Sequence, residues 1–185
     1  MALNSVFNYL NKLGVRSANK QMVSLNYVEK RMCPIGLASH LLGDKWIPII
    51  IRDIALFDRR TFSDLIKGNH EGISSGSLTS RLKRMVELDL VRVENSEKHA
   101  QKKIYFLTEA GISFVPVLFN LAAWTEQFRS PSRGITAMVK PYIDGDEKLS
   151  RKLLQTLRDI HIKKSVEPEP LWWLFEAETK PLISA

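Results

Sequence analysis

The sequence predicts a mainly α fold with one small β-hairpin, and three observations predict it. Apolar residues recur at helical spacing through residues 31–129, with short connections between the runs. Two alternating stretches, "LVRVEN" and "KKIYFLT", flank a polar, turn-like "SEKHAQ" and read as paired strands. A long, very apolar helix, "EAGISFVPVLFNLAAWTEQF", follows them. The expected organisation is an N-terminal helical extension over 1–30, a central domain over 31–129 and a C-terminal extension over 130–185.

Each element has a local reason. Leu3, Phe7 and Leu10 give the extension a short amphipathic pattern that stops at Gly14. "CPIGLASHLLG" has Pro34 just inside a helix start and Gly43 at its end. "WIPIIIRDIALF" is a buried second helix with Pro48 in its first turn, where a missing N–H costs little. "TFSDLIKGN" is a short third helix with Thr61 as N-cap and Gly68 as stop. "GISSGSLTSRLKRMVELDL" is the fourth, with Ser74 as N-cap. After the strands and the long helix, "SPSRG" reads as a break. The tail beyond it holds one helix, around Leu149, Leu153, Leu157 and Ile160.

The 185 residues carry a net charge of +7. That balance favours an anionic partner, nucleic acid or an acidic membrane surface. The excess is +3 in residues 1–30, +3 in 31–130 and +1 in 131–185, so a nucleic-acid role has to rest on where the cations stand. A lone cysteine, Cys33, suits a reducing compartment. The N-terminus has no secretory h-region, and the strongly apolar run "WIPIII" is far too short to span a membrane. A soluble, intracellular chain is expected.

The fourth helix carries the functional signal. Leu78, Leu82, Met85 and Val86 form one apolar face. The opposite face carries Gly76, Ser80, Lys83, Arg84 and Glu87, flanked by Ser77 and Thr79, with Ser74 and Ser75 at the helix start, and no acid occurs between 74 and 86. Small residues let a backbone approach a groove closely. Hydroxyls donate or accept at base edges and phosphates, and lysine and arginine pair with phosphate or guanine. Free N–H groups at a helix start also favour phosphate. An ordinary surface helix with serines in its cap is the plain alternative. The order helix, turn, helix, then a hairpin with a basic second arm is that of a winged helix-turn-helix. The recognition helix would be 74–88 and the wing 95–103, with Lys98, Lys102 and Lys103 along the backbone or minor groove. Arg60 and Thr61, at the start of the third helix, complete the expected DNA contacts.

The blocks "CPIGLASHLLGDKWIPIIIRDI", "RRTFSDL", "GISSGSLTSRLKRMVELDLVRV", "IYFLTEAG" and "VPVLFNLAAW" together resemble those of the HxlR-type winged-helix transcription regulators. The resemblance covers about residues 31–129. It implies a cytoplasmic prokaryotic homodimer that regulates transcription on double-stranded DNA, with the long C-terminal helix and the N-terminal helix forming the dimer contact. Three features depart from the family pattern: a wing, "ENSEKHAQKK", without proline, Lys102 in place of an arginine, and Gly76 in place of a longer polar side chain. The competing reading is a winged-helix protein–protein adaptor without specific DNA binding.

A homodimer also follows from magnitudes. Specific binding needs roughly 4–10 kcal/mol over non-specific binding, and a good bidentate base contact discriminates by about 1–3 kcal/mol. One helix with two good readers is marginal; two copies on a palindromic site suffice. The long helix supplies apolar surface for the contact: Phe114, Leu118, Phe119, Leu121, Ala122, Trp124 and Phe128, with Phe119 or Trp124 expected between subunits. Burial of this surface beneath the chain's own tail is the alternative.

Cys33 falls at the cap of the first helix, where the helix dipole favours a thiolate. The resemblance implies a redox-sensor role for it, since some family members sense oxidants or electrophiles at this "CP" position; an unreactive small residue is the plainer reading. An effector is left open. His40, His70, His99 and His161 are scattered, Cys33 and His40 are two helical turns apart, and no set has zinc-like spacing. "DGDE" at 144–147 is an acidic turn and not a calcium loop. No catalytic residue, cofactor or metal is expected. Trp172, Trp173 and Phe175 either anchor the tail or line a pocket, and Trp46 belongs to the core.

Overall fold

The computed structural model describes residues 33–96, 101–131 and 133–165. The N-terminal helical pattern and the Trp172–Trp173 pair lie outside the described residues. Seven α-helices and one hairpin are present among those described: α1 (Pro34–Leu42), α2 (Trp46–Phe57), α3 (Phe62–Gly68), α4 (Ser75–Glu87), β1 (Val91–Asn95), β2 (Lys103–Leu107), α5 (Glu109–Phe128), α6 (Arg133–Ile143) and α7 (Glu147–Arg158). A π-helical turn, Asp159–Lys163, extends α7. The mainly helical architecture with one antiparallel hairpin is the winged helix-turn-helix that the sequence predicts.

The predicted caps, Thr61 and Ser74, are both present, and Thr108 and Asp146 cap two further helices. Thr61 accepts the Asp64 N–H while Asp64 returns a bond to the Thr61 N–H, a reciprocal capping box. Ser74 caps α4 and Thr108 caps α5. Asp146 accepts the Leu149 N–H at 2.8 Å, so the acidic turn serves as the start of α7. The hairpin pairs Val91 with Leu107 and Asn95 with Lys103.

One core joins all of this. Ile47, Ile50, Ile51 and Ile54 of α2 meet Leu65, Leu78, Leu82, Met85, Leu107, Ile112 and Val115. Tyr142, Leu153, Leu154, Leu157 and Ile160 of the C-terminal extension belong to the same cluster. Gly111 marks the tightest approach: a Cβ there would stand 2.2 Å from the Leu90 carbonyl oxygen.

The tail departs from expectation in one respect. It begins with a helix, α6, that starts inside the stretch whose composition predicts a break. Gly134 falls in the first turn of α6, whereas Pro141 lies inside the helix near its C-terminal end, where it has no backbone N–H to donate to the turn before it. α6 and α7 pack on α5, and the π-helical turn packs on β2. Among the described residues no helix is long and apolar enough to cross a membrane.

Candidate nucleic-acid interface

The turn between α3 and α4 is set from behind. Arg52 of α2 reaches Glu71 at 2.5 Å and Asp53 at 2.7 Å, and Arg59 stands 3.3 Å from the same Asp53 carboxylate. Burial pushes the Asp53 carboxyl up, against the pull of Arg52 and Arg59. The Arg52 bond holds the Glu71 carboxyl below its ordinary range. Asn69 accepts the Ile73 N–H at 2.9 Å, and Gly72 takes the left-handed backbone at φ 77°. These contacts aim the start of α4 outward.

On α4, Leu78, Leu82 and Met85 are buried. Val86, expected with them, is 40% exposed, because its place on the wheel lies at the edge of the stripe rather than in it. Ser74, Ser75, Gly76, Thr79, Ser80, Lys83 and Arg84 are all exposed, and Ser77 is half-buried. A Cβ on Gly76 would meet nothing within 4 Å. Lys83 has no ion-pair partner among the described residues, and Arg84 stands 3.6 Å from Glu87. The hydroxyls are ordered from within: Ser77 N–H donates to Ser74 Oγ at 3.2 Å, Thr79 Oγ1 donates to the Ser75 carbonyl at 2.9 Å, and Ser80 Oγ donates to the Ser77 carbonyl at 3.0 Å. Arg81 Nη1 donates to Ser80 Oγ at 2.9 Å while its Nε donates to Asp44 at 3.0 Å. Arg81 and Asp44 are the members of this surface that sequence reasoning missed. Their 37-residue separation leaves no spacing signal.

Two expected DNA contacts are corrected. Arg60 is largely buried: its guanidinium stands 2.6 Å from Asp58 and covers the Phe106 ring at 5.0 Å, so it is committed within the chain. Thr61 is 8% exposed and its hydroxyl is consumed by the capping box with Asp64. The charge and the hydroxyl were legible; their partners were not. Lys102 and Lys103 are exposed at the base of the wing, where Ser96 N–H closes on the Lys102 carbonyl at 2.8 Å. The tip, 97–100 with Lys98, lies outside the described residues.

The inner face of the hairpin is held by the tail. Arg92, Arg60 and Lys164 all stand over the Phe106 ring, at 4.9, 5.0 and 5.1 Å. Lys164 meets Glu94 at 2.5 Å, and Arg92 donates to the His161 carbonyl. His161 is buried, its Nδ1 accepting the Leu107 N–H at 3.4 Å. Burial, with Arg60 and Arg92 nearby, lowers its pKa to about 3. None of this covers the α4 face.

The expected dimer surface divides. Phe119 is 7% exposed and stacks on Tyr142 of α6 with ring centroids 4.5 Å apart, so it belongs to the chain's own interior. This corrects its assignment to a subunit contact: α6 occupies it. Phe114 and Leu118 also pack against the core, and Ala122 is half-buried. Leu121, Trp124 and Phe128 stay open, at 41, 53 and 53% exposure, with Trp124 and Phe128 rings 5.6 Å apart. Cys33 is exposed and caps α1, its sulfur accepting the Gly36 N–H at 3.2 Å.

Residues 41–133 match a family model described as HxlR-like helix-turn-helix. The chain is 27% identical over 136 residues to an uncharacterized HTH-type transcriptional regulator of Mycobacterium tuberculosis, covering 74% of this chain and 84% of that protein. It is 31% identical over 101 residues to the HTH-type transcriptional regulator YodB of Bacillus subtilis, covering 54% of this chain and 88% of that one.

Proposed function

The chain belongs to the HxlR-like helix-turn-helix family, whose members are transcriptional regulators, and from that premise we propose that it binds double-stranded operator DNA sequence-specifically as a homodimer. α4 enters the major groove and the hairpin lies on the backbone or minor groove through Lys102 and Lys103. The observation that carries this is the outward face of α4. Ser75, Gly76, Thr79, Ser80, Lys83 and Arg84 stand exposed together, α4 itself carries no carboxylate before Glu87, and the neighbouring Asp44 is engaged by Arg81. A surface that small and positive suits a phosphate-lined groove. It gives a protein partner little apolar area to hold.

The second copy is supported by Leu121, Trp124 and Phe128, an open apolar strip on α5 at helical spacing. Two copies on a two-fold site would supply the discrimination that one helix lacks. The test is enrichment of bound duplexes from a random pool, alongside sedimentation at micromolar concentration. A palindromic enriched motif and a dimer mass are expected. A flat pool, or a 21.2 kDa monomer, would defeat the corresponding half of the proposal.

A further inference from the structure

A hydroxyl has one proton to give and two lone pairs to receive with. Both Thr79 and Ser80 give the proton to a carbonyl of their own helix. Ser80 is constrained further, because its oxygen also receives Arg81 Nη1 at 2.9 Å. Arg81 is held in turn by Asp44 through Nε at 3.0 Å. Asp44 is itself fixed, its other oxygen accepting the Trp46 N–H at 2.9 Å where α2 begins. A continuous line of bonds therefore runs from the α1–α2 junction to a side chain on the open face of α4. It keeps Ser80 Oγ beside the Ser77 carbonyl. In that rotamer the proton has one destination, and the oxygen of this exposed residue keeps one lone pair unused.

A lone pair recognises only a donor. Within the major groove the donors are the amino groups of adenine N6 and cytosine N4, whereas guanine offers N7 and O6 and thymine O4, all acceptors. We propose that Arg81, anchored by Asp44, makes Ser80 an acceptor-only reader, so that the base it faces is adenine or cytosine. Every base pair carries one such amino group, so Ser80 reads which strand bears it. It does not distinguish A·T from G·C. Arg81 is a positioning residue here: its guanidinium is engaged with Asp44 and Ser80, and it acts on the groove through the hydroxyl. The inference rests on the reading of α4 as a major-groove helix.

Enrichment of duplexes from a random pool by the full chain, by Ser80→Ala and by Arg81→Met separates the claims. For the unsubstituted chain, one position of each half-site should favour adenine or cytosine over guanine or thymine by roughly fivefold, the weight of one ordinary hydrogen bond. Ser80→Ala should flatten that position and leave the others. Arg81→Met should readmit guanine and thymine there to within about twofold, because the freed side chain can turn and donate its proton. Ser80→Thr, which keeps the hydroxyl, should retain the preference while Arg81 is present. Circular dichroism melts of each variant confirm that a folded chain is being read. If the unsubstituted chain enriches nothing, the DNA reading fails and this inference with it. If it enriches a motif but Ser80→Ala flattens no position, or the flattened position favours guanine or thymine, the acceptor assignment is overturned while the DNA reading stands. If the preference survives Arg81→Met intact, Arg81 has no positioning role.

Discussion

α4 and α5 sit on opposite terms with their surroundings. α4 gives the core one narrow stripe, Leu78, Leu82 and Met85, and leaves the rest to water. α5 is apolar nearly all round. It turns Ile112 and Val115 to the core, Phe119 to Tyr142 of α6, and a third side, Leu121, Trp124 and Phe128, to solvent. One helix is finished by folding and offers polar groups to a charged partner. The other is only partly covered and offers hydrophobic area. The two expected partners, DNA and a second copy, are thus kept on different elements, and a change on one helix should leave the other's business alone.

The comparison breaks most visibly at Phe119. Phe119→Ala should cost about 3–5 kcal/mol of unfolding free energy, read by chemical denaturation, because it removes a stacked ring from a buried site. Trp124→Ala, five residues on, should leave monomer stability nearly unchanged and weaken self-association in sedimentation. Equal stability losses for the two would dissolve the division of α5 into a covered and an open side.

Leu82→Ala should cost about 2–5 kcal/mol in the same denaturation measurement, the ordinary price of a cavity under α4. A loss below about 1 kcal/mol would place the buried stripe elsewhere.

Acid sharpens the contrast next. His161 is held at a pKa of about 3 in the folded chain, against about 6.5 when unfolded. The unfolded chain therefore takes up the proton first as pH falls below about 6.5. The stability that neutral His161 supports is complete above that value and drains away toward pH 3. Between pH 7 and pH 5 the loss should be about 2 kcal/mol. Thermal melts across that range should show it for the natural chain and much less of it for His161→Gln. A pH-independent midpoint would mean that His161 is not the neutral acceptor behind the hairpin.

The smallest effect lies on the open face of α4. Lys83→Ala should change stability by no more than about 0.5 kcal/mol. Anisotropy on random duplex over a salt series should show the log–log slope fall by about 0.9 for each phosphate that the side chain had neutralised. An unchanged slope would mean Lys83 touches no phosphate.

The same contrast explains how much the sequence could disclose. α4 is legible because its residue types alternate cleanly about the wheel: leucines inward, serines and cations outward, and Ser74 at the cap. α5 is not, because a helix apolar over most of its surface gives periodicity little to say about which side meets α6 and which meets solvent. Its pattern therefore puts Phe119 in an interface, whereas Tyr142, 23 residues later, takes it. Arg60 and Thr61 mislead for a related reason. Charge and hydroxyl are visible in a sequence, but whether Asp58, Phe106 or Asp64 has already claimed them depends on packing. α6 is hidden because it starts within "SPSRG", which reads as a break, and holds Pro141 inside it.

The shared core has a practical corollary for anyone trimming the chain. The family match stops at residue 133, and a fragment cut there would look like a natural minimal unit. It would instead strip Tyr142, Leu153, Leu154, Leu157 and Ile160 from the interior and lay bare a second greasy flank of α5 beside the first. Such a fragment would clump through a surface the whole molecule never shows, and its oligomeric state would report the surgery rather than the protein.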